Sequence, residues 1–134
     1  MVLVDTNVLA YLFLDGPYTD DARRLFAADS DWRSDRYVLV ELTNVLRMAM
    51  RVRDLPLADA VTTLHRSRDV IEQGLVDVPH EEALRTSASL GVSAYDARFL
   101  AAARALGVKL VTEDARLRRA APELTQSLTA ALAG

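Results

Sequence analysis

The sequence predicts an α/β fold in which a central, mostly parallel sheet of four to five short strands is flanked by helices. Three observations carry that expectation. Met1-Val2-Leu3-Val4 runs without a polar residue into Asp5, and an uninterrupted apolar run reads as a strand buried on both faces. Val108–Thr112, apolar at Val108, Leu110 and Val111, reads as a second buried-type strand near the other end of the chain. Between them apolar residues recur at helical spacing, so strands alternate with helices as parallel sheets require.

Taken in order, Val2–Val4 is the first strand, and Asn7–Leu14 continues with a helical pattern that Gly16-Pro17 ends. Tyr18–Ala28 reads as an amphipathic helix, with Thr19 as its N-cap and Asp20 and Asp21 in its first turn. Asp29–Arg36 is polar and reads as a loop with room for a short strand around Trp32. A long helix spans Tyr37–Val52 and stops before Asp54-Leu55-Pro56; Leu57–Arg68 is the next, with Pro56 where helices begin. Gly74–Val78 is a short strand ended by Pro79. His80–Leu90 and Ser93–Leu106 are helices closed by Gly91 and Gly107. Val108–Thr112 is the second buried strand, Glu113–Ala120 begins one more helix, and the pattern beyond Pro122 is helical.

Composition bounds the function. The chain has 134 residues, 51% of them hydrophobic and 26% charged, which suits one globular domain over residues 1–134 without linker or low-complexity tract. The absence of cysteine excludes a disulfide framework and a thiolate zinc site and fits a reducing compartment. The apolar N-terminus lacks the basic flank and small-residue cleavage site of a signal peptide. No apolar run approaches the length of a membrane span, so the expectation is a cytoplasmic protein without a membrane partner. A net charge of −3 gives no overall attraction to nucleic acid, which leaves any RNA contact to local arginine patches. His65 and His80 lie on different helices without ligand spacing, and neither a glycine-rich phosphate loop nor a Ser-His-Asp set is present.

Four acids sit where acids are not expected. Asp5 and Asp114 each stand directly beyond a buried-type strand, where open α/β sheets place their ligands. Each also suits the start of a helix, Asp5 as an N-cap and Asp114 as a first-turn acid. Glu41 falls on the edge of the apolar stripe of its helix, beside Val38, Val45, Met48 and Val52, while Thr43, Asn44, Arg47 and Arg51 share the polar face. Asp96 projects with Phe99, Leu100 and Ala103, although Ser93-Ala94-Tyr95-Asp96 also approximates a capping box. Carboxylates on apolar faces are costly unless paired. Brought into one crevice they would repel one another, and a divalent cation removes that penalty; all-oxygen carboxylate sites suit Mg²⁺ or Mn²⁺.

These residues also carry a resemblance. Val4-Asp5-Thr6-Asn7-Val8-Leu9, then Val40-Glu41-Leu42-Thr43-Asn44-Val45-Leu46, then Tyr95-Asp96-Ala97 with Phe99-Leu100-Ala101-Ala102-Ala103, and finally Leu110-Val111-Thr112-Glu113-Asp114 match in order and spacing. Together they resemble the PIN domain, in particular the VapC-type toxins of toxin–antitoxin pairs, over essentially the whole chain. The resemblance implies a metal-dependent endoribonuclease that is usually a homodimer, with an antitoxin partner whose tail blocks the acidic cleft. It implies Asp5, Glu41, Asp96 and Asp114 as catalytic, metal-binding acids for one or two Mg²⁺ or Mn²⁺ ions, and Asn7 and Thr112 as supporting residues. Some relatives carry another acid two residues beyond the fourth, where this chain has Arg116, which puts the second ion in doubt.

The reaction so implied is hydrolysis of an RNA phosphodiester by in-line attack of water. Arg116, Arg118 and Arg119 follow Asp114 closely and are candidates for guiding the RNA backbone, or else form a solvated helix face. Competing expectations are an inactive RNA- or protein-binding module, and a housekeeping RNA-processing nuclease without an antitoxin. A phosphotransfer domain fits less well: receivers need the acceptor Asp mid-chain, and aspartyl-phosphate phosphatases need a second Asp where Asn7 stands.

Overall fold

In the computed structural model, which describes all 134 residues, five short strands pair side by side in one wholly parallel sheet. They are β1 (Val2–Val4), β2 (Trp32–Asp35), β3 (Leu75–Val76), β4 (Leu110–Val111) and β5 (Thr125–Gln126), in the spatial order β3-β2-β1-β4-β5. The flanking helices are α1 (Thr6–Tyr11), α2 (Thr19–Ala28), α3 (Val38–Val52), α4 (Leu57–Ile71), α5 (His80–Leu90), α6 (Ala94–Leu106), α7 (Ala115–Ala120) and α8 (Leu128–Ala133).

β1 takes the centre because its side chains tolerate burial from both faces: Leu3 and Val4 are wholly inaccessible. Leu3 pairs with Arg33 on one side and Leu110 on the other. The buried Ser34 hydroxyl donates to the Val4 carbonyl at 2.7 Å, so this buried polar side chain of β2 has a partner. The chain builds outward from β1 to β2 and β3, then crosses back to β4 and β5. That reversal between β1 and β4 opens a crevice at the carboxyl ends of the strands.

The helices close over the sheet by ordinary amphipathic patterning. In α3, Val38, Leu42, Leu46 and Ala49 are buried at spacings of three and four residues, while Arg47 and Arg51 stay exposed. α5 and α6 form a hairpin, each closed by a glycine in the left-handed region, Gly91 at φ 68° and Gly107 at φ 67°. No helix is long and apolar enough to cross a membrane.

Several boundaries differ from the sequence expectation. The first helix stops at Tyr11, not Leu14. Thr19 is inside α2 rather than its N-cap; its hydroxyl donates to the Leu14 carbonyl and accepts from the Gly16 N–H, fastening the turn that precedes the helix. Within Asp29–Arg36 the short strand allowed around Trp32 is present and runs on to Asp35 as β2. The strands expected at Gly74–Val78 and Val108–Thr112 shrink to Leu75–Val76 and Leu110–Val111. The stretch past Pro122 holds β5 before its helix, with Leu110 and Val111 pairing Thr125 and Gln126. Gly74 backs directly onto β2, where an added Cβ would lie 2.1 Å from the Trp32 carbonyl oxygen.

Candidate active site

Asp5 follows β1 immediately, so its carboxylate arrives at the carboxyl end of the central strand, beside the crevice. It is 8% exposed and both its oxygens are engaged: Oδ1 accepts from the Val8 N–H at 2.9 Å and Oδ2 from the Thr112 hydroxyl at 2.5 Å. Asp5 is thus the N-cap of α1 and a crevice residue at once. Burial pushes its pKa up to about 6, with the charges of Asp114 and Asp96 adding to the rise and the two hydrogen bonds opposing it.

Asp114 caps α7, with Oδ1 accepting from the Arg116 N–H at 2.9 Å and the Leu117 N–H at 3.2 Å. Its own N–H donates to Thr112 Oγ1 at 3.1 Å. The buried Thr112 hydroxyl therefore ties the ends of β1 and β4 together, donating to one acid and accepting from the backbone of the other.

Glu41 comes from the first turn of α3 and Asp96 from the first turn of α6. The Glu41 carboxylate is half-buried and accepts from the Thr6 hydroxyl at 2.6 Å. Burial raises its pKa, as do the charges of Asp35 and Asp96, while the Thr6 bond and Arg98 lower it. The Asp96 N–H donates to Ser93 Oγ at 3.0 Å, the backbone half of the anticipated capping box. Burial and the charge of Asp114 raise the Asp96 pKa against the Ser93 bond and the Arg116 charge.

All four acids line one open cleft of about 490 Å³, with Thr6, Asn7, Asn44, Tyr95 and Phe99 among its walls. They surround the cleft without three of them closing on a single point. The donor set fits a hard divalent cation: every candidate ligand is a carboxylate oxygen, and neighbouring charges work against ionisation of Asp5, Glu41 and Asp96. Asn7 faces the cleft and is exposed, whereas the hydrogen-bonded support comes from Thr6 and Thr112. Arg116 acts electrostatically on Asp96, but neither it nor Arg118 nor Arg119 lines the cleft.

Two residues escape the sequence reading. Thr6, given no role there, supplies the hydroxyl that holds Glu41. Its signal was a hydroxyl residue directly after the strand-end acid. Asp35 ends β2 as a further strand-end acid, hidden because the segment reads as a loop; it pairs with Arg98 at 2.9 Å rather than facing the cleft.

Comparison with known proteins agrees with this architecture. The profile of the PIN domain family matches residues 2–122. Among solved structures, the chain is similar to PAE2754 from Pyrobaculum aerophilum, with a TM-score of 0.78 at 22% identity over 98% of this chain and 93% of that one. No curated protein matches the sequence significantly.

Proposed function

Because the chain belongs to the PIN domain family, whose members are typically metal-dependent nucleases, we propose that it is an endoribonuclease that hydrolyses RNA phosphodiesters with Mg²⁺ or Mn²⁺, and that it is the toxin of a toxin–antitoxin pair. The observation that carries this is the meeting of Asp5, Glu41, Asp96 and Asp114, delivered by four separate elements, around one cleft at the switch point of the sheet.

A bound divalent ion supplies Lewis-acid polarisation of the phosphoryl group and activation of water for in-line attack. The chain's own residues hold and orient. Thr112 and the Val8 N–H fix the Asp5 carboxylate, the start of α7 fixes Asp114, and Thr6 fixes Glu41. Arg116, whose charge is felt by Asp96, is the arginine this reading assigns to an RNA phosphate, ahead of Arg118 and Arg119 farther along α7.

Two exposed apolar surfaces supply the partner contacts of this proposal. A groove between α1 and α3, lined by Ala10, Tyr11, Leu14, Met48 and Val52, adjoins the acidic cleft through Asn7 and Val45 and suits the tail of an antitoxin. Across the cleft from this groove, Val40 and Tyr95 of the cleft wall and neighbouring Leu84 are exposed by 69%, 72% and 67%, and suit a second copy of the chain.

The test is expression of the wild type and Asp5→Asn in a bacterium, with RNA cleavage by the purified proteins alongside. Growth arrest by the wild type alone, relieved by a small co-expressed partner, supports the proposal, as does cleavage that chelator stops and Mg²⁺ or Mn²⁺ restores. Cleavage without toxicity assigns a housekeeping nuclease instead. The fact that no three acids close on one point favours a second reading, an inactive RNA- or protein-binding module, and absence of cleavage with every metal tried would decide for it.

A further inference from the structure

We propose that the Asp35–Arg98 ion pair is a clamp that sets how far apart Glu41 and Asp96 stand across the cleft, making Arg98 a positioning residue for the acid cluster. The proposal rests on the reading of that cluster as a metal site.

Arg98 lies two residues after Asp96 on α6, and its pair with Asp35 is largely buried, at 11% and 4% exposure, whereas every other ion pair in the molecule has both partners a third or more exposed. A buried pair is a poor device for stability, since desolvation offsets much of its attraction, and fixing one geometry is the better-supported use. The geometry here is fully specified. Arg98 Nε donates to Asp35 Oδ1 at 2.9 Å, one terminal nitrogen donates to the Val78 carbonyl at 2.8 Å, and the other stands 3.2 Å from His80 Nδ1. The guanidinium also lies 4.9 Å from the centre of the Tyr37 ring.

From there the connection to Glu41 is continuous. Asp35 Oδ2 accepts from the Tyr37 N–H at 3.0 Å, and the Tyr37 carbonyl accepts from the Glu41 N–H at 3.3 Å. Arg98 thus joins the end of β2, the start of α3, the segment before α5 and α5 itself to the helix that carries Asp96. A lysine can supply the charge but not this planar fork. Removing the fork lets the first turns of α3 and α6 drift apart, and with them the two acids.

The experiment measures Mn²⁺ binding by electron paramagnetic resonance on the folded, full-length protein, for wild type, Arg98→Lys, Arg98→Gln and the exposed same-helix control Arg104→Gln. Loss of an outer partner at a metal site typically costs about 10–100-fold in affinity. The clamp predicts a weakening of that order for Arg98→Lys and Arg98→Gln, a fall in kcat larger than the rise in KM for RNA, and no change for Arg104→Gln. A cation that acted on the acids by charge alone gives the opposite sign, because its removal tightens dication binding. Tighter or unchanged binding by Arg98→Gln overturns the clamp. If that variant does not fold, unchanged binding by Arg98→Lys overturns it equally. Wild-type protein that binds no Mn²⁺ refutes the metal site itself, and the clamp with it, which is distinguishable from a clamp that fails on a working site.

Discussion

Thr112 serves two acids with one hydroxyl, so a single substitution strips the donor from Asp5 Oδ2 and the acceptor from the Asp114 N–H. Thr112→Val is expected to cost roughly 1–3 kcal/mol in urea unfolding, the penalty for buried polar groups left without partners, and about 10–100-fold in metal affinity. Asp5 has its own signature. With a pKa raised from 3.8 to about 6, it favours the protonated carboxyl in the folded chain. Stability from that preference is fully present below pH 3.8 and is lost as the pH rises through about 6. Ionised Asp5 therefore costs up to about 3 kcal/mol at neutral pH, and Glu41 and Asp96 are shifted in the same direction. The lowered carboxyls of Asp29, Asp31 and Asp77 act in the opposite sense, but only as the pH falls below the ordinary aspartate value. In chelator, the urea midpoint is expected to be higher at pH 5 than at pH 7, and Asp5→Asn to raise the pH 7 value while abolishing cleavage. A flat or reversed profile refutes this electrostatic account of the acids.

At the scale of elements, legibility followed local pattern. β1, α3, α5 and α6 announce themselves through apolar runs, periodic stripes and terminal glycines, and the four cleft acids stand out against those same patterns. β5 was illegible because Thr125–Gln126 has no apolar run of its own and becomes a strand only by pairing with β4. β2 was nearly so, for its last residues are Ser34 and Asp35, polar groups buried only because partners meet them: the Val4 carbonyl for one and Arg98 for the other. The Thr6–Glu41 bond spans 35 residues, a separation that periodicity does not report. Gly74 supplies the test at this scale. A methyl group there meets the Trp32 carbonyl, so Gly74→Ala must push β3 away from β2 and is expected to destabilise by about 1–3 kcal/mol in chemical denaturation. An unchanged midpoint would mean that the sheet edge yields freely.

Over the whole molecule, the proposed metal site would make metal binding and folding interdependent. A cation that binds only the folded state stabilises it by about 2.7 kcal/mol at a hundredfold excess over its dissociation constant. Added Mn²⁺ is thus expected to raise the melting temperature of the wild type and leave that of Asp5→Asn almost unmoved, as differential scanning calorimetry would record; equal shifts in both proteins would place the ion elsewhere. The central position of β1 has a consequence in time as well. Leu3 pairs with Leu110, and Asp5 is held by Thr112 across a separation of 107 residues. A ribosome adding roughly 5–20 residues per second delivers the first acid several seconds before the last. Throughout that interval the middle strand has one open side, and half of the cleft has yet to be made. On the proposed function, synthesis order is a safety catch: a growing chain cannot cut the message that encodes it until its fourth strand has emerged and paired.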